Sequence, residues 1–123
     1  MKKILLIVDD EAIVRKALSS QFDAENVEVL TANDGEEGLK AALENHPDLI
    51  LMDLVMPVMD GMTMLAKLRE DDWGKDAEVI ILTNLSDSDR VAEAVEKGTY
   101  EYLVKVDWNV TDVVNKVKDK LGL

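Results

Sequence analysis

Five short apolar runs punctuate the chain: Ile4–Val8, Val27–Ala32, Leu49–Met52, Val79–Leu82 and Tyr100–Val104. Leu49–Met52 and Ile4–Val8 carry no polar alternation, as expected of strands covered on both faces. Longer amphipathic stretches separate the runs. Residues 12–24 place Ile13, Ala17, Leu18 and Phe22 near helical spacing. Asp34-Gly35 opens a second helix with Leu39, Ala42 and Leu43 on one face, ending near His46 and Pro47. Asp60-Gly61 starts a third, carrying Met64, Leu65 and Leu68. Ser86 caps a fourth, which runs through Val91, Ala94 and Val95 and is closed by Gly98. Thr111–Leu121 forms the last, with Val113, Val114, Val117 and Leu121 inward. This (βα)5 pattern predicts an α/β fold: a doubly wound parallel sheet with right-handed crossovers and helices on both faces. The length of 123 residues suits one domain over 1–123, with no repeat, low-complexity tract or linker.

In such sheets the functional crevice lies at the carboxyl ends of the strands. The residues that follow the runs are therefore the informative ones. The first run leads into Asp9, Asp10 and Glu11, the third into Asp53, the fourth into Thr83 and Asn84, and the fifth into Lys105. The second ends in Thr31, Ala32 and Asn33, with no evident chemistry.

Composition narrows the function classes. At 47% apolar residues a sizeable core is available, and disorder is not expected. A net charge of −12 opposes binding to a phosphate backbone or an anionic membrane, so neither direct nucleic-acid contact nor membrane attachment is expected. The absence of cysteine excludes disulfides, thiolate metal sites and a cysteine nucleophile. The apolar run at Ile4–Val8 is too short for a secretory segment, and no run approaches the ~20 residues of a membrane span. A cytoplasmic location is the expectation.

Asp9, Asp10 and Asp53 should converge at one edge of the sheet, where like charges repel unless a cation intervenes. Mg²⁺ answers this, because it takes oxygen ligands and often sits between carboxylates and a phosphate. Lys105 supplies a compact positive charge and Thr83 a hydroxyl. Carboxylate nucleophile, metal, ammonium and hydroxyl together suit phosphoryl transfer, in which catalysis is mostly positioning and charge neutralisation. Taken singly, each residue has a duller role: a strand-end cap, a solvated lysine, a threonine serving local backbone. Their order after four apolar runs decides for the joint role.

The sequence resembles the receiver domain of bacterial response regulators, over essentially its whole length. The matching segments are IVDDE at 7–11, LILMDLVMPVMDG at 49–61, VIILTN at 79–84 and YLVK at 102–105. The resemblance implies a flavodoxin-like strand order, 2-1-3-4-5. It implies that Asp53 is the phosphoacceptor and that Asp10, Asp53 and the backbone carbonyl of Val55 bind Mg²⁺, with Asp9 helping through water. Thr83 would hydrogen-bond the phosphoryl group, Lys105 would pair with it, and Thr83 and Tyr102 would form a rotameric switch. The donor would be a histidine kinase or a histidine phosphotransfer protein. The output would be a partner protein bound on the face of the fourth helix, fifth strand and last helix. The chain would catalyse its own phosphorylation without being a turnover enzyme. Two residues depart from the family: Val106 replaces the proline that usually follows the lysine, and Asn84 replaces a small residue after the threonine. Val55 and Leu85, at the positions that flank the hydrolytic water, lack groups to orient or deprotonate it, which implies slow autodephosphorylation.

Three other classes compete. A haloacid-dehalogenase-like phosphatase needs a second Asp two residues past the nucleophile, where this chain has Val55. A flavodoxin-like cofactor binder needs a hydroxyl-rich first loop, where this chain has DDEA. A degenerate receiver serving as a phosphorylation-independent scaffold would not need the intact Asp, Thr and Lys set.

Overall fold

The computed structural model describes residues 2–22, 26–54, 56–82 and 109–123 in full, and the backbone of 83 and 101–104. The strands are β1 (Lys3–Val8), β2 (Val27–Ala32), β3 (Leu49–Met52), β4 (Val79–Thr83) and β5 (Glu101–Val104). They form one parallel sheet, as the alternating pattern predicts, in the order β2-β1-β3-β4-β5 that the resemblance implies. The described helices are α1 (Ala12–Ser19), α2 (Gly35–Asn45), α3 (Gly61–Glu70) and a C-terminal helix (Val110–Leu121). The predicted helix at 86–98 lies outside the described residues, as do Val55, Asn84, Leu85, Lys105 and Val106.

The sheet divides two cores. On one face Leu6, Val8, Ile50, Met52 and Ile81 pack with Ala42 of α2 and Met64, Leu65 and Leu68 of α3. On the other, Leu5, Ile7, Leu49, Leu51, Ile80 and Leu82 pack with Leu18 of α1 and Val113, Val117 and Leu121 of the C-terminal helix. Every residue of β3 is buried, which is why its sequence reads as an unbroken apolar run.

Two helix faces differ from expectation. Ile13 is 82% exposed, and the buried stripe of α1 is formed by Val14 and Leu18 instead. Leu43, grouped with Leu39 and Ala42 in the sequence, is exposed, while Ala42 is buried. In addition, α1 ends at Ser19 rather than near residue 24. The Ser19 and Ser20 hydroxyls donate to the Lys16 and Ala17 carbonyls, and Gln21 and Phe22 N–H groups reach back three residues, so the last turn tightens and stops.

The helices that start at the carboxyl edge are fixed there by their caps. Asp34 accepts from Glu37 N–H at 2.9 Å, and Asp60 accepts from Thr63 N–H at 2.8 Å. The C-terminal helix starts with a capping box between Asn109 and Asp112.

Candidate functional site at the carboxyl edge of the sheet

The central strands deliver the site. Val8 lies in register with Met52 across β1 and β3, so the next residues, Asp9 and Asp53, emerge side by side. Asp53 N–H donates to the Val8 carbonyl at 2.9 Å, and Asp9 N–H to the Ala32 carbonyl at 3.2 Å. The ladder thus extends one step beyond the assigned strands and holds both backbones rigid. Asp9 is 2% exposed and Asp53 4%, the only buried charged residues among those described.

Side-chain hydrogen bonds set the carboxylates. Leu54 N–H donates to Asp53 Oδ1 at 2.8 Å, and Glu11 N–H to Asp9 Oδ1 at 2.9 Å. Arg15 Nη1 donates to the Asp9 carbonyl at 2.6 Å, tying the first turn of α1 to the end of β1. Asp9, Asp10, Glu11 and Asp53 each bring a carboxylate oxygen within 4.8 Å of the others. Two are buried and two are exposed, so the group forms a cup open to solvent on one side.

Sequence reasoning placed Asp9, Asp10 and Asp53 together, and the structure does so. It adds Glu11, which the sequence marked only as part of the polar exit from the first run. The signal was present in its adjacency to the Asp pair. An acidic residue at the N-cap of α1 starts its side chain at the same mouth.

The floor of the site is close-packed backbone. A Cβ on Gly61 would lie 2.3 Å from the Asp53 carbonyl oxygen and 2.8 Å from Leu54 Cα. Gly61 N–H donates to the Leu54 carbonyl at 2.9 Å. The start of α3 therefore presses on the backbone at Asp53 and Leu54, an approach only glycine permits. Gly35 makes a similar contact on the other side: its N–H donates to the Met59 carbonyl at 2.8 Å.

The remaining predicted residues are placed by backbone alone or lie outside the described set. Thr83 pairs with Val104, which puts the last residues of β4 and β5 at the same edge, and Tyr102 pairs with Ile81. The side chains of Thr83 and Tyr102, and all of Val55 and Lys105, lie outside the described residues.

Four carboxylates of this kind offer hard oxygen donors for a divalent cation of the Mg²⁺ type. Without one, or a proton, their mutual repulsion in a partly buried setting is unfavourable.

Comparisons agree with this geometry. The profile of the response regulator receiver domain family matches residues 5–118. A probable transcriptional regulator, ycf27 of Porphyridium aerugineum, is 39% identical over 105 residues, covering 85% of this chain and 42% of that protein. The chain thus spans about half the length of the curated relatives it matches. The chemotaxis response regulator CheY4 of Vibrio cholerae superposes with a TM-score of 0.86 at 28% identity, covering 98% of this chain and 99% of that one. A CheX–CheY–BeF3–Mg²⁺ complex from Borrelia burgdorferi contains a chain that superposes at 0.81 with 32% identity, covering 95% of this chain and 87% of that one.

Proposed function

The chain belongs to the response regulator receiver domain family, and on that premise we propose that it is a phosphorelay switch whose Asp53 accepts a phosphoryl group from a phosphohistidine donor in a Mg²⁺-dependent reaction. The observation that carries this reading is the meeting of Asp9, Asp10, Glu11 and Asp53 at the carboxyl edge of the sheet.

An oxygen of the Asp53 carboxylate attacks phosphorus as the bond to the donor imidazole nitrogen breaks, leaving an acyl phosphate and a neutral histidine. Leu54 N–H fixes the orientation of the attacking carboxylate through Oδ1. Asp10, Asp53 and the Val55 carbonyl would hold Mg²⁺, with Asp9 acting through water and Glu11 within reach. The ion would neutralise charge on the carboxylates and on the transferring oxygens. The Borrelia complex, which contains both BeF3 and Mg²⁺, supports this in a relative. Thr83 and Lys105 then serve the new phosphoryl group as hydroxyl donor and counter-charge. Thr83 and Tyr102 relay its presence to the face of the fourth predicted helix, β5 and the C-terminal helix, where an output protein binds.

The chain is not a turnover enzyme in this reading: one phosphoryl group is taken up and slowly lost. Any contact with DNA belongs to regions of the longer relatives beyond this match, since a charge of −12 repels phosphates. A cytoplasmic location fits a kinase partner. Among the described residues no helix is long and apolar enough to cross a membrane.

The test is intact-mass analysis after incubation with phosphoramidate and Mg²⁺. One phosphoryl group is expected, lost on hydroxylamine treatment and absent when EDTA replaces Mg²⁺. A folded protein that gains no mass would instead be a phosphorylation-independent scaffold.

A further inference from the structure

The chain has no cysteine, so all its sulfur is thioether. Five of its six methionines fall between residues 52 and 64: Met52, Met56, Met59, Met62 and Met64. All five belong to or pack against the core cluster that holds Leu54, whose N–H orients Asp53. Met1 lies outside the described residues. The burial of the five is graded. Met52 and Met64 are 0% exposed, Met62 7% and Met56 8%, whereas Met59 is only half-buried. An oxidant in solution therefore meets Met59 first.

Met59 is also the residue by which the loop before α3 regains the core. Pro57 and Val58 are exposed, and Met59 packs back on the cluster. Its carbonyl accepts from Gly35 N–H at 2.8 Å, which joins the loop to α2, and the next residue, Asp60, caps α3. Met59 N–H donates to the Pro57 carbonyl at 2.7 Å, across Val58, whose φ is 67°. A turn of this kind strains a β-branched residue. Such strain persists only while the surroundings hold it, and the apolar seat of Met59 is part of that hold.

We propose that Met59 is a redox modification site: a two-electron oxidant of the peroxide class converts its thioether to the sulfoxide and so slows phosphoryl transfer to Asp53. The inference rests on Asp53 being the acceptor. The sulfur lone pair attacks one peroxide oxygen as the O–O bond breaks. The other oxygen leaves as hydroxide and takes the proton of the transferred oxygen, giving water. Sulfur loses two electrons and the peroxide gains them. The product sets a polar oxygen where a thioether had packed on apolar side chains. It favours water, the seat on the core is given up, and the turn at Val58 is released to relax. Residues 56–60, which precede α3 and carry its cap, then lose their fixed shape. The step is reversible, because a sulfoxide reductase with a dithiol as reductant restores the thioether and releases the oxygen as water.

The experiment treats the protein with graded hydrogen peroxide, removes it, and then adds phosphoramidate and Mg²⁺. Peptide mapping reports the sulfoxide at each methionine, and intact mass reports the rate of phosphorylation. Met59 should oxidise about tenfold faster than Met52 and Met64, and the rate should fall about threefold or more in step with Met59 sulfoxide. Sulfoxide reductases for both epimers, with dithiothreitol, should restore it. Met59→Leu, close in volume and free of sulfur, should react within about twofold of the untreated wild type and keep that rate after peroxide. Met62→Leu should stay as sensitive as the wild type. Met59 sulfoxide with an unchanged rate would overturn the proposal, as would a wild type that stays slow after full reduction. Equal loss of rate in Met59→Leu and wild type would do the same. A wild type that takes nothing from phosphoramidate before any peroxide overturns the acceptor assignment, and this inference with it.

Discussion

Gly61 shows how closely single residues are set around Asp53. A methyl group there would meet the Asp53 carbonyl oxygen and Leu54 Cα, both backbone atoms that cannot rotate away. Gly61→Ala should therefore force α3 away from the Asp53–Leu54 backbone at a cost of about 1–3 kcal/mol. Thermal melting should fall by roughly 4 °C for each kcal/mol, and phosphorylation should slow; a variant that melts with the wild type would refute the tight contact. Val58 predicts the opposite sign. Relief of about 1–3 kcal/mol of backbone strain outweighs the ~0.5–1 kcal/mol of extra chain entropy that glycine loses on folding. Val58→Gly should raise the melting temperature by a few degrees, and a fall would mean that the turn is not strained. The meeting of Asp53 with Asp9 and Asp10 was legible in the sequence because strand order alone brings strand ends together. Neither the conformation of Val58 nor the stacking of His46 on Trp73, with ring centroids 4.4 Å apart, was legible. Both depend on how loops close over one another, which residue types record only weakly.

The elements were legible wherever composition and chain geometry agree. β2 and β3 fall on the expected residues, and Asp34, Asp60 and Gly61 mark their helix starts, because a side-chain oxygen that satisfies a free N–H leaves a sequence signature. Helix rotation was less legible. In α1 the pairs Ile13/Ala17 and Val14/Leu18 both have a helical repeat, and spacing gives relative angles but not which stripe faces the sheet. The structure buries Leu18 and leaves Ile13 in solvent. The caps carry a prediction at this scale. Asp60→Ala removes the acceptor for Thr63 N–H and should cost about 1 kcal/mol of stability. Because α3 begins against Asp53, the same change should also lower the rate of phosphorylation; an unchanged rate and melting temperature would show that the cap does not position the site.

For the whole molecule, two cores on either side of one sheet carry an edge where four carboxylates meet and repel. Mg²⁺ should raise the melting temperature, since a ligand at about 100 times its dissociation constant adds roughly 2.7 kcal/mol. Asp10→Asn should lose most of that gain while melting at a similar or higher temperature without the ion, because one repelling charge is gone. A melting temperature that does not respond to Mg²⁺ would count against the site as a cation centre. The most direct measurement locates the phosphoryl group itself. Borohydride reduces an aspartyl phosphate to homoserine, and tandem mass spectrometry of the digested protein reports the position. After phosphoramidate and Mg²⁺, homoserine should be found at residue 53 and nowhere else, and Asp53→Ala should yield none. Homoserine at Asp9 or Asp10, or undiminished phosphorylation of Asp53→Ala, would contradict the assignment of Asp53 as the acceptor.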